Sequence, residues 1–134
     1  MQFDYTKRDW SKGVVHVPTM PVILNGFPLG HALIDTGADV TIIPMEVNKL
    51  LGLELEKSST LSFVGAGGDI FRAVPTKKKI EYRIEQAGHR PICWKGTVFF
   101  AAGQPTILLG NYQCLDQLKI TLDGKNRKLN LVKA

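Results

Sequence analysis

An all-β fold with one or two short helices is the class this sequence predicts, on three observations. Short runs rich in Val, Ile, Leu and Phe, such as Val22–Leu24, Val40–Ile43 and Thr60–Val64, recur along the 134 residues. Turn-forming pairs and clusters separate them, notably Asn25-Gly26, Gly65 with Gly67 and Gly68, and Asp123-Gly124. The stretch from Thr76 to Ile84 alternates. Ile80, Tyr82 and Ile84 fall on one face and Lys79, Glu81 and Arg83 on the other, as in a half-buried strand.

Residues 1–12 are polar and unpatterned and read as an N-terminal arm, ahead of one domain over 13–134. Val14, Val15 and Val17 predict a first short strand, with Pro18 and Pro21 interrupting in the manner of a sheet edge. Val22–Leu24 and Phe27–Ile34, joined by Asn25-Gly26, predict a hairpin whose second strand ends at Asp35. After the extended run Val40–Ile43, Pro44 opens a short helix with Val47, Leu50 and Leu51 on one face, and Gly52 stops it. Thr60–Val64 and Asp69–Val74 flank the glycine cluster as two strands. Ile92–Ala101 returns through the sheet after the Ala87-Gly88-His89 turn, and Gly103-Gln104-Pro105 forms the next loop. Asn111 is a suitable N-cap for a helix reaching about Leu118, and Ile120–Leu122 with Leu129–Val132 close the chain as a hairpin.

At this length one core can bury about two thirds of the unfolded surface. Cys93 and Cys114 match no metal-ligand spacing and read as free thiols of a reducing compartment. No apolar run approaches the roughly 20 residues needed to cross a bilayer, and the polar start is not a signal peptide, so a soluble, cytoplasmic chain without membrane contact is expected. The net charge of +5 raises nucleic-acid binding. However, Lys77, Lys78 and Lys79 and the C-terminal cations are interleaved with Glu81, Glu85 and Asp123, with no recognition helix or aromatic platform. Solvated strand faces, and no nucleic-acid partner, are the reading. His16, His31 and His89 are scattered without ligand partners, and Ser62 has no histidine or motif that would make it a nucleophile. Neither metal nor cofactor is expected.

Chemistry concentrates in His31–Asp39. Ala32, Leu33 and Ile34 end a buried strand, and Asp35 follows at its mouth, where burial disfavours the charged carboxylate. Thr36 supplies a hydroxyl, and Gly37 lets the backbone turn so that amide N–H groups point back at the acid. A phosphate-binding loop at Gly65–Gly68 would have to open a helix, and Ile70, Phe71 and Val74 lack helical spacing.

The run Leu33-Ile-Asp-Thr-Gly-Ala38 resembles the active-site loop of aspartic proteases. Thr106-Ile-Leu-Leu-Gly-Asn111 resembles the hydrophobic-hydrophobic-Gly motif that packs behind that loop, and Phe63–Phe71 resembles the glycine-rich flap hairpin. Together they make the chain similar to the retropepsin, single-lobe branch from Val14 to Val132. The resemblance implies a barrel-like all-β domain with a flap, forming a symmetric homodimer. It implies that Asp35, Thr36 and Gly37 are catalytic, with Asp35 sharing a proton with its twin, Thr36 hydrogen-bonding across the interface and Gly37 donating an N–H. Asp39, Gly67 and Gly68 would meet a polypeptide substrate. One departure is Asn111, where family members with an acidic residue at the Asp39 position often carry Arg, which puts an inner ion pair in doubt.

Carboxylate-catalysed peptide hydrolysis needs two acids, and the chain carries a single Asp-Thr-Gly. A homodimeric aspartic endopeptidase is therefore expected, cleaving extended peptides between two copies of Asp35. The rival is a fold of this type kept as a dimerisation or peptide-binding module with little or no turnover.

Overall fold

The computed structural model describes residues 1–134, and local turn chemistry accounts for most of its strand ends. In chain order, β1 (Gln2–Asp4), β2 (Thr6–Trp10) and β3 (Gly13–Val17) are followed by β4 (Thr19–Leu24) and β5 (Phe27–Ile34). Asn25 and Gly26 between the last two both have positive φ, 50° and 79°, the geometry of the tight turn whose twist matches its flanking strands. β6 (Ile42–Pro44) leads through a 3-10 turn, Met45–Val47, into α1 (Asn48–Leu51). Gly52 ends that helix in the left-handed conformation, its N–H donating to Asn48 C=O. Next come β7 (Leu61–Val64), β8 (Ile70–Pro75), β9 (Ile80–Ile84), β10 (Ile92–Gly96) and β11 (Phe99–Ala101). β12 (Leu108–Leu109), a 3-10 turn at Leu115–Gln117, β13 (Leu118–Asp123) and β14 (Lys128–Lys133) complete the chain.

Nine strands form the main sheet in the order β10-β9-β4-β5-β12-β6-β11-β8-β7, a three-stranded sheet runs β1-β14-β13, and β2-β3 is a separate ribbon. The main core gathers side chains that alternate inward, among them Met20, Leu24, Ile43, Tyr82, Phe100, Leu109 and Leu129, all at most 1 % exposed. A smaller cluster, Val40, Ile42, Ala73, Phe99 and Ala101, lies apart from it, with Phe63 and Phe71 packed against its side. Fully burying one such aliphatic or aromatic side chain contributes about 1.5–3 kcal/mol, so these alternating faces outweigh any single polar contact. No helix is long and apolar enough to cross a membrane.

The mainly β architecture with a short helix agrees with the sequence reading, and five local differences have physical causes. Residues 1–12 are not an irregular tail: β1 pairs antiparallel with β14, the Met1 ammonium donates to Leu131 C=O at 2.9 Å, and Phe3 and Tyr5 pack against the main core. Pro21 sits inside β4 rather than at an edge. It is tolerated because β9 pairs only with Ile23 and Leu24 of that strand, so no ladder bond from position 21 is lost on that side. Ile92–Ala101 is two strands, since Phe99–Ala101 turns away to run parallel to β6. Leu50 is 67 % exposed, because the helix is one turn long and only its Val47 and Leu51 side reaches the core.

The helix expected over Asn111–Leu118 does not form. Gln113 takes a positive φ of 55° and Cys114 has φ −135° and ψ −84°, which breaks helical geometry before a second turn can close. Tertiary bonds compensate for the strain. Gln113 C=O accepts from Trp94 Nε1 at 3.0 Å, and its side-chain oxygen accepts from the Thr97 N–H at 2.8 Å.

The packed N-terminus makes a direct test. Phe3→Ala is expected to lower stability by about 1–2 kcal/mol, roughly half the cost of emptying a fully buried Phe site, as read by urea unfolding. A detached arm would leave the midpoint unchanged.

Candidate active site

Two strands that are neighbours in sequence are not neighbours in the sheet. β5 and β6 are joined by Asp35–Thr41, yet β12 lies between them, parallel to β5 and antiparallel to β6. The connecting loop therefore arches over the end of β12, and the chain leaving β12 must pass beneath it at Gly110. A Cβ built at Gly110 would lie 2.2 Å from Val40 C=O, closer than any side chain permits. Glycine is required here for space.

That passage organises the loop by main-chain bonds. Asp35 N–H donates to Leu109 C=O at 3.1 Å, Asn111 N–H to Ala38 C=O at 3.0 Å, and Tyr112 N–H to Asp39 C=O at 2.8 Å. Gly110 N–H donates to the Thr41 hydroxyl at 3.2 Å, and Thr41 is fully buried. Within the loop, Ala38 N–H closes a turn on Asp35 C=O, and Gly37 N–H donates to Asp35 Oδ1 at 3.0 Å. This last bond fixes the orientation of the carboxylate. Asp35 is half-buried at the end of β5, while Thr36 and Gly37 are exposed.

Asn111 has a role the sequence did not disclose. Rather than capping a helix, its side-chain amide donates to Thr36 C=O at 2.8 Å and Ala38 C=O at 3.2 Å, tying the back of the loop. Thr41 was likewise not singled out, since a β-branched residue in an apolar run reads as packing.

A cleft of about 750 Å³ opens in front of the loop. Asp35, Gly37 and Asp39 line it on one side, and Phe63, Val64, Gly65, Ala66 and Phe71 of the β7–β8 hairpin on another. Phe63 stacks on Phe71 with centroids 5.7 Å apart and meets Phe99 edge-on at 5.9 Å, so the hairpin's base is rooted in the smaller cluster. Gly67 and Gly68 lie at the hairpin tip, beyond the residues that line the cleft. Gly68 has φ 83°, and the tip is closed by Gly68 N–H to Gly65 C=O. The structure thus brings Asp35, Gly37 and Asp39 to one cleft and leaves Gly67 and Gly68 above it. Nowhere in the chain do three His, Cys, Asp or Glu side chains gather as a metal site would require.

Behind the loop, the Thr41 hydroxyl lies near the buried Tyr82 and Cys114 side chains, and the Tyr82 hydroxyl donates to Thr97 C=O at 3.5 Å. Burial pushes the Cys114 thiol up to about 12, the nearby Thr41 hydroxyl opposing the shift. Burial likewise raises Tyr82, reinforced by the neighbouring Cys114.

Two outcomes follow for this site. Gly110→Ala is expected to cost about 3 kcal/mol or more, since an added methyl meets backbone that cannot yield; chemical unfolding measures it. Because the folded thiol resists ionisation, its contribution is intact below about pH 9 and is lost as pH rises towards 12. Wild-type stability relative to Cys114→Ala should accordingly fall with a slope of up to about 1.4 kcal/mol per pH unit across that window. A flat difference over the same range contradicts it.

Comparison with known proteins agrees with this geometry. A family model described as aspartyl protease matches residues 20–112, more than half of the chain, and its span includes the Asp35 loop, the β7–β8 hairpin and Gly110. A retropepsin-like aspartic protease from Rickettsia conorii shares the fold with a TM-score of 0.59 at 16% identity, covering 98% of each chain. The retroviral protease-like domain of Ddi1 from Leishmania major matches with a TM-score of 0.54 at 14% identity, covering 88% of this chain and 95% of that one. No curated protein sequence matches significantly. A half-buried aspartate held by the glycine two residues on, in a loop arching over a Leu-Leu-Gly strand, thus has the family model and the fold in agreement: the chain belongs to the aspartyl protease family, and its fold is that of the retropepsin-like structures it matches.

Proposed function

We propose that the protein is a homodimeric aspartic endopeptidase, hydrolysing extended peptides by activating water between two Asp35 carboxylates, one from each subunit. The observation that carries this reading is the placement of Asp35 in the cleft, its Oδ1 held by Gly37 N–H in a loop pinned on three sides by main-chain bonds. A peptide-binding module has no use for an acid so rigidly presented. Hydrolysis requires one carboxylate to take a proton from water while a second, protonated, polarises the scissile carbonyl. Asp39, the other acid in the cleft, is exposed and lacks a comparable N–H donor. A second Asp35 across a two-fold axis supplies the missing partner, because an isologous contact places equal residues opposite each other.

In this reading Thr36 hydrogen-bonds its twin across the axis and Asp39 meets the peptide backbone. The β7–β8 hairpin acts as the flap, bringing Gly67 and Gly68 down on the substrate, with Phe63 and Phe71 favouring apolar side chains.

Subunit mixing tests the reading. Asp35→Asn alone should reduce cleavage of a peptide library at least 100-fold while leaving thermal unfolding near wild type. When wild type is re-equilibrated with excess Asp35→Asn chain, activity per wild-type chain should collapse, because mixed dimers hold one carboxylate and one amide. Unchanged activity after verified subunit exchange rules out the shared site. Peptide binding without any cleavage by wild type would favour the binding-module alternative.

A further inference from the structure

The net charge of this chain is concentrated outside its family core. Residues 20–112 carry nine Lys or Arg against eight Asp or Glu, whereas the two flanking segments carry eight against four, so four of the five net positive charges lie in the flanks. The fold then brings parts of both flanks together. Arg127 Nη1 lies 3.2 Å from His16 Nε2, Tyr5 N–H donates to Arg127 C=O at 2.9 Å, and Lys128 pairs with Asp4. The β2–β3 ribbon therefore stands beside the β13–β14 turn. Lys7, Arg8, Lys12, Lys125 and Arg127 share this end of the molecule, against Asp9 and Asp123.

An aromatic side chain sits among these cations. Trp10 ends β2 and is 53 % exposed, while Trp94 is buried. Its cross-strand partner is Gly13, which has no side chain to cover the indole. Arg8 and Val15 pair on the same face of the ribbon as Trp10, and Lys7 with His16 and Asp9 with Val14 on the opposite face. A two-stranded ribbon open on both sides gains little stability by itself, so its exposed tryptophan and cations are not explained by packing.

We propose that this end of the molecule binds single-stranded nucleic acid, with Trp10 stacking on a base while Arg8, on the same face of the ribbon, and Lys12, in its turn, contact phosphates. Each nucleotide offers a flat π face beside an anionic phosphate, and an uncovered indole flanked by flexible cations matches both. A bilayer surface is a poorer fit, because it requires one broad apolar face, and here Trp10 and Val15 lie on one side of the ribbon and Val14 on the other. The sequence reading expected no nucleic-acid partner, because the cations of Lys77–Lys79 and the C-terminal segment are interleaved with acids and no recognition helix or aromatic platform accompanies them. The fold sets the C-terminal cations Lys125 and Arg127 beside the ribbon that carries Trp10. This surface is independent of the Asp35 cleft, so the proposal stands or falls separately from the peptidase reading.

Fluorescence anisotropy of the full chain with a labelled oligouridylate of about 15 nucleotides, near the upper site size of small single-strand binders, tests it. Affinity should fall with salt at a log–log slope of about −0.7 per phosphate neutralised, and the double variant Arg8→Gln, Lys12→Gln should reduce the size of that slope by about 1.4. Trp10→Ala should weaken binding roughly tenfold or more at fixed salt, with Trp10→Phe retaining most of it. The two conservative variants keep the test valid should Trp10→Ala fail to fold. Polyglutamate should compete far less well than unlabelled oligouridylate. The proposal is overturned by absence of binding at low salt, by equal affinity of wild type and Trp10→Ala, or by equal competition from polyglutamate. It is also overturned if the chain binds phosphatidylserine vesicles and not the oligonucleotide, or if Trp10→Ala alters only self-association in sedimentation.

Discussion

The close approach of Gly110 to the main chain of Val40 is the constraint on which the rest of the site depends. With β12 threaded between β5 and β6, the Asp35 loop cannot lie flat on the sheet; it must arch over a chain that passes directly beneath. At that spacing backbone groups meet backbone groups. Leu109, Asn111 and Tyr112 bond to Asp35, Ala38 and Asp39 in turn. Such bonds fix the loop whatever side chains it carries, leaving Asp35 free to present its carboxylate. Each is modest in net terms, about 0.5–1.5 kcal/mol, but the three act on one short loop together. The arrangement is consequently intolerant of partial change.

Support for this crossing extends well behind the cleft. Thr41 accepts from Gly110 and lies near Tyr82 and Cys114. Tyr82 stacks on Trp94 at 4.9 Å, and Trp94 reaches the strained Gln113. Gly96 lies so near Gln113 that a Cβ there would come within 2.3 Å of its carbonyl. A continuous set of contacts thus runs from β9 and β10 to the segment after β12, and it accounts for the unusual backbone at 113 and 114. On the other side of the cleft, Phe63 and Phe71 anchor the hairpin's base, whereas Val64 and Ile70 near its tip are 73 % and 74 % exposed. A rooted base with an exposed apolar tip is what the proposed flap role asks of this hairpin.

Charge is divided along the same lines. The span shared with the family is nearly neutral, and the terminal strands hold most of the positive excess. Electrostatic recognition of a polyanion would therefore take place away from the two cleft aspartates, avoiding competition between a phosphate chain and Asp35.

Much of this was legible in the sequence, because much of it is local. Asn25-Gly26 dictates a tight hairpin by its backbone preference, and the length of the following apolar run places Asp35 at a strand end. Ile80, Tyr82 and Ile84 declare their face by period alone, and Gly52 stops its helix for want of a Cβ. The identity of the candidate acid and the order of the motifs around it belong to that same one-dimensional record. Tertiary structure decided what depends on residues distant in the chain. Strand β1 joins β14 across the whole length, Gln113 abandons a helix to satisfy Trp94 and Thr97, and Asn111 turns its amide to the loop rather than to a cap. The physical reason is common to all three. A side-chain pattern records which face is apolar, but a backbone carbonyl or N–H carries no residue label, so its partner is known only once the fold has brought the two together.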